Sequence, residues 1–95
     1  GKQRAYLRGL ANGLDTIFQI GKGGISEEMI RQISAALEAR ELIKLRVLES
    51  AGYTAAEASR LLAQRTGAQG VATVGSRFVL YRPSQKKPKI ELPKA

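Results

Sequence analysis

The stretch Thr16-Ile17-Phe18-Gln19-Ile20-Gly21-Lys22-Gly23-Gly24-Ile25-Ser26-Glu27-Glu28-Met29 decides the fold, because a strand ends inside it and a well-signalled helix begins. Residues 16–20 are a β-branched and aromatic run, the composition of a strand. Ser26 can cap a helix, and Glu27 and Glu28 in its first turn suit the positive end of the helix dipole. Between them, three glycines in four positions leave backbone N–H groups unshielded by side chains, and Lys22 adds a cation. On its own this is also the composition of an ordinary flexible β-to-α connection.

Downstream, Met29, Ile30, Ile33, Ala36 and Leu37 make an amphipathic stripe, with Glu27 and Arg31 read as an i,i+4 pair on the outer face. Arg40-Glu41 ends that helix. Residues 42–48 alternate as a second strand, Ile43, Leu45 and Val47 on one face and Lys44 and Arg46 on the other. Gly52-Tyr53 breaks the chain, and Thr54-Ala55-Ala56-Glu57 has capping-box spacing. The third helix then runs to a stop at Gly67, its apolar face made by Ala55, Ala58, Leu61 and Leu62. Residues 70–74 and 77–82 flank a Gly75-Ser76 turn and read as a hairpin.

Upstream, Leu7, Leu10 and Leu14 recur at helical spacing from Gln3 to about Asn12, with Gly13 at the stop position. Arg4 and Arg8 share a face of this helix away from the leucines, and Lys2 adds charge at its entrance. From Pro83 onward periodicity is lost and a basic cluster, Lys86-Lys87, appears, so residues 83–95 are expected to form a mobile tail behind a single domain of residues 1–82.

The element order is α-β-α-β-α-β-β. It predicts an α/β (α+β mixed) domain with a four-stranded mixed sheet and three helices. Strand four is apolar on both faces, so both sides of the sheet are expected to be covered, with the first helix the candidate for the second side. Phe18, Phe78 and Tyr81 are assigned to the core.

Composition narrows the function. Sixteen Lys and Arg against eight Asp and Glu give a formal charge of +8 on 95 residues, which favours a polyanionic partner. There is no cysteine and no histidine, so thiolate metal sites, disulfides and the commonest general base are excluded. The glycine turn lacks the length and the Ser or Thr of a nucleotide-binding P-loop. No metal, cofactor, small-molecule substrate or catalytic set is expected. No apolar run is long enough to cross a bilayer, and a cytoplasmic monomer is the natural reading.

The residues Gly1-Lys2-Gln3-Arg4, Leu7-Arg8, Ile20-Gly21-Lys22-Gly23-Gly24, Glu41-Leu42-Ile43-Lys44 and Leu80-Tyr81-Arg82, in that order and spacing, resemble a CRM domain, the chloroplast RNA splicing and ribosome maturation module. Ile90-Glu91-Leu92-Pro93 is similar to its stand-alone bacterial, YhbY-like form. The resemblance implies an RNA-binding fold related to the C-terminal domain of translation initiation factor three. It also implies association with ribosomal RNA in precursors of the large ribosomal subunit, and a GxxG loop, here Gly21-Lys22-Gly23-Gly24, that meets RNA like the corresponding loop of KH domains. Two departures stand nearby: Asn12 where many members carry histidine, and Asp15-Thr16 where a basic residue and proline are usual.

On this reading Gly21, Gly23 and Gly24 bring N–H groups to RNA phosphates and Lys22 pairs with one. Arg4, Arg8, Lys44 and Arg46 flank the loop, followed by Lys2, Arg77 and the Lys86-Lys87 cluster. A protein–protein scaffold in ribosome assembly and a DNA-binding architectural protein are the alternatives.

Overall fold

The computed structural model describes residues 2–91; Gly1 and Leu92-Pro93, both part of the family likeness, lie outside the described residues together with residues 94 and 95. Among the described residues the elements are α1 (Lys2–Ala11), β1 (Thr16–Ile20), α2 (Glu27–Arg40), β2 (Leu42–Val47), a 3-10 turn (Glu49–Ala51), α3 (Ala55–Thr66), β3 (Gln69–Val74) and β4 (Arg77–Tyr81). The predicted order and the mixed sheet are found.

The local signals act as read. The Ser26 side chain accepts from the Met29 N–H at 3.1 Å. Thr54 and Glu57 form a reciprocal capping box, and Gly67 ends α3 in the left-handed conformation. The outer face of α2 differs from expectation. Glu27 pairs with Arg65 in the last turn of α3 at 2.7 and 2.8 Å, and Arg31 pairs with Glu28 instead. Glu27 lies at the start of α2 within reach of the neighbouring helix, and the tertiary partner displaces the i,i+4 one.

The sheet runs β1-β2-β4-β3, with β1 parallel to β2 and the two other pairs antiparallel. The β1–α2–β2 crossover makes the parallel pair and the β3–β4 hairpin the antiparallel edge. On one face, α2 and α3 bury Ile20, Ile33, Leu37, Ile43, Leu45, Leu62, Phe78 and Leu80 as the main core. On the other, Leu7 and Ala11 of α1 pack with Leu42, Val71, Val79 and Tyr81. Helix α1 therefore covers the side opposite α2 and α3.

Its buried seam is Leu7–Ala11, one turn apart, with Leu14 packed against it; of the expected Leu7–Leu10–Leu14 row only Leu10 turns outward, 40% exposed, as does Tyr6 at 42%. A single small residue lets the helix approach the sheet closely, a preference that leucine counting misses. Helix α1 is also too short to cover the whole face.

Residues 84–90 take part in the fold, which a polar, aperiodic segment did not suggest. Glu41, with a positive φ of 66, is completely buried just beyond α2. Its carboxylate accepts backbone N–H groups from Ser84 at 2.8 Å, Lys89 at 2.6 Å and Ile90 at 2.8 Å. Burial pushes this carboxyl up, but the three N–H donors and the nearby Lys89 charge outweigh it, and its pKa falls below the ordinary value. Glu38 accepts from the Ser84 hydroxyl and from the Gln85 and Lys86 N–H groups, which lowers its pKa too.

Arg82 completes the arrangement from the other side. Its guanidinium donates to the Ser34 hydroxyl at 3.0 Å, the Ser34 carbonyl at 2.8 Å and the Thr66 carbonyl at 2.8 Å. Its backbone N–H bonds the Glu41 carbonyl at 2.9 Å. Two of the residues that carry the family likeness, Glu41 and Arg82, are thus structural ties between helices, sheet and C-terminal segment.

Candidate nucleic-acid interface

The glycine loop is a tight turn: the Gly24 N–H donates to the Gly21 carbonyl at 2.8 Å, and Gly24 has φ +68. Leu48 N–H bonds the Ile20 carbonyl at 2.9 Å, and Val47 N–H bonds the Ser76 carbonyl at 2.7 Å. These two bonds set the loop, the exit of β2 and the β3–β4 turn at one end of the sheet.

The three glycines are not equivalent. A methyl group at Gly21 would meet Leu48 and Ser50 at 3.6 and 3.9 Å, and one at Gly24 would stand 3.4 Å from the Tyr53 ring. At Gly23 it would meet nothing within 4 Å. Protein packing therefore gives no reason for glycine at position 23, and its φ is not positive. Lys22 beside it is exposed.

The end of α2 behind the loop is already furnished. Ser26 takes the Met29 N–H, and both glutamates of the first turn are paired with arginines. Their negative charge is offset locally, and the dipole is largely used by the protein's own groups.

The predicted cations separate into groups. Lys44 and Arg46 lie half-buried on the sheet face that α1 only partly covers. In register, Arg46 faces Gln19 on one side and Arg77 on the other, and Lys44 faces Val79. Arg8 reaches the same face from α1. Arg8, Lys44 and Arg77 line one cleft of about 200 Å³, floored by Ala11, Ala72 and Val79, with Asn12 and Val74 at its edge. No carboxylate lines it.

Arg4 goes elsewhere, to a shallow groove beside Arg60 and residues 70–73. Lys2 is exposed at the first position of α1. Lys86 and Lys87 are near Glu38 at the C-terminal end of α2, about 20 Å of helix from the loop. Asp15 precedes β1 while the loop follows it, so about 16 Å of strand separates that carboxylate from Lys22.

Charge is divided between the two faces. Of eight acidic residues, Glu27, Glu28, Glu38, Glu41 and Glu57 are held in caps, ion pairs or tail contacts on or beside α2 and α3. The glycine loop and the α1 side of the sheet carry cations that have no ion-pair partner among the described residues. Among the described residues no cluster of His, Cys, Asp or Glu could hold a metal ion, and no helix is long and apolar enough to cross a membrane.

The family model of the CRS1 / YhbY (CRM) domain matches residues 1–82. The chain belongs to that family. A Bacillus subtilis relative named "Probable RNA-binding protein YqeI" is 45% identical over 93 residues, covering 98% of this chain and 97% of the relative. A Haemophilus influenzae relative named "RNA-binding protein" is 37% identical over 93 residues, 98% of this chain and 93% of its own. The solution structure of a Staphylococcus aureus protein, described as a candidate RNA binder, superposes with a TM-score of 0.80 at 49% identity, covering 97% of this chain and 96% of that one.

Two features of this CRM domain were not visible in its sequence. Tyr53, 37% exposed, stands against Gly24 and brings an aromatic ring to the loop. Its place after a break gave no periodic signal. Arg60, on α3, joins Arg4 only because α1 and α3 approach β3 from opposite faces near the sheet edge.

Proposed function

We propose that this chain binds RNA, with ribosomal RNA in a large-subunit precursor as the partner and ribosome assembly as the process. The observation that carries the reading is Gly23 beside Lys22: a glycine that packing does not require, next to an unpaired cation, at the sheet end where Arg46 and Arg77 also lie. Backbone N–H groups at positions 21–24 approach phosphates, Lys22 neutralises one, and the strand follows the cations of the α1-side sheet face. Tyr53 offers a ring for a base leaving the loop. The names of the relatives support RNA as the partner, and the chemistry is binding rather than catalysis.

The exposed Tyr6 and Leu10, one turn apart on α1, favour a second reading in which that helix also meets a protein of the assembling particle. Binding of structured ribosomal RNA, an unrelated RNA and duplex DNA across a salt series tests the first reading. Preference for ribosomal RNA is expected; equal affinity for duplex DNA would remove the RNA assignment.

A further inference from the structure

We infer that the cleft between α1 and the sheet is a subsite for one unpaired nucleotide of the bound strand, separate from the glycine turn; the inference rests on the RNA-binding reading above. Three elements supply its cations, Arg8 from α1, Lys44 from β2 and Arg77 from β4, and no carboxylate answers them. Such convergence of like charge around one depression suits a phosphate held from several sides.

Between the cations the surface is apolar. Ala72 and Val74 of β3 offer a flat patch for a base or ribose, and Val74, 73% exposed, extends it to the rim. Asn12, at the end of α1, carries both an amide donor and an amide acceptor, the pair needed to meet a base edge. At about 200 Å³ the cleft is smaller than the roughly 300–1,000 Å³ of sites that enclose a free ligand. It fits a segment of a polymer whose remainder stays outside.

The consequence is selectivity. A base already paired in a duplex cannot present its edge to Asn12 or its face to Val74, so the cleft accepts single-stranded segments and rejects helical ones. The glycine turn and Lys22 touch backbone only and do not make this distinction.

Nitrogen-labelled full-length protein titrated with a short single-stranded oligoadenylate, and with the same strand annealed to oligouridylate, tests this. With the single strand, the amides of Ala72 and Val74 and the side chain of Asn12 are expected to shift together with those of Lys22 and Gly23. With the duplex, only the loop signals are expected to move. Val74→Ser, a neutral change at an exposed position, and Asn12→Ala should each weaken single-strand binding several-fold and leave duplex binding unchanged. Loop shifts without cleft shifts, or equal cleft shifts with both ligands, would overturn the subsite while leaving RNA binding in place. No shift anywhere with either RNA would overturn the subsite, and RNA binding itself would fall only if the ribosomal RNA titration above were blank as well.

Discussion

Arg46 and Arg77 are direct partners on neighbouring antiparallel strands, two cations placed side by side with no carboxylate beside them among the described residues. The Arg46 Nε is buried and has no hydrogen-bond partner among the described residues. Like charges opposed in this way cost stability, and the protein keeps them on a face that α1 leaves partly uncovered.

Arg77→Gln should therefore raise stability slightly at low salt, by up to about 0.5 kcal/mol, while weakening RNA binding. The slope of log affinity against log salt should fall by about one. Urea denaturation and RNA titration on the same samples check both halves.

Gly24→Ala should destabilise the fold by about 1–2 kcal/mol, because alanine resists a backbone at φ +68. Tyr53→Ala should leave stability within about 1 kcal/mol of wild type and reduce affinity for single-stranded RNA, since the ring is more than one-third exposed. Chemical denaturation separates the two variants.

Arg82→Ala should lower stability by about 2–4 kcal/mol, as it removes three guanidinium hydrogen bonds that join Ser34 of α2 to Thr66 of α3. RNA affinity of the folded fraction should not change, because Arg82 lies on the α2 and α3 side. Arg82→Lys should rescue little, since a point charge cannot span both helices.

Acid should loosen the C-terminal segment first. Glu41 and Glu38 have lowered pKa values in the folded chain, so their contribution to stability is complete above the ordinary glutamate value of 4.5 and is lost as pH falls through their lower folded values. The backbone N–H groups of Ser84, Gln85, Lys89 and Ile90 should lose hydrogen-exchange protection in that acidic window. With Glu41→Gln, that protection should already be reduced at neutral pH.

Local chemistry was legible in the sequence, and long-range chemistry was not. Ser26, Thr54 with Glu57, and Gly67 act through neighbours three to five residues away, and the alternation of residues 42–48 follows from strand geometry alone. Glu27 finds Arg65 across 38 positions, and Glu41 binds N–H groups 43 to 49 residues later. A charged residue after a helix gives no sign that it will be buried. The glycine loop was legible as a motif; its division into two packed glycines and one open one needed the positions of Leu48, Ser50 and Tyr53. Ala11 was missed in the α1 seam because it contributes little hydrophobicity and much closeness.

The most direct test uses Gly23→Ala, whose methyl group meets nothing in the protein. Its affinity for structured ribosomal RNA should fall about tenfold, about 1.4 kcal/mol, while its urea midpoint stays that of the wild type. Unchanged RNA affinity in Gly23→Ala, with an unchanged salt slope in Lys22→Ala, would contradict a glycine turn that approaches the RNA backbone.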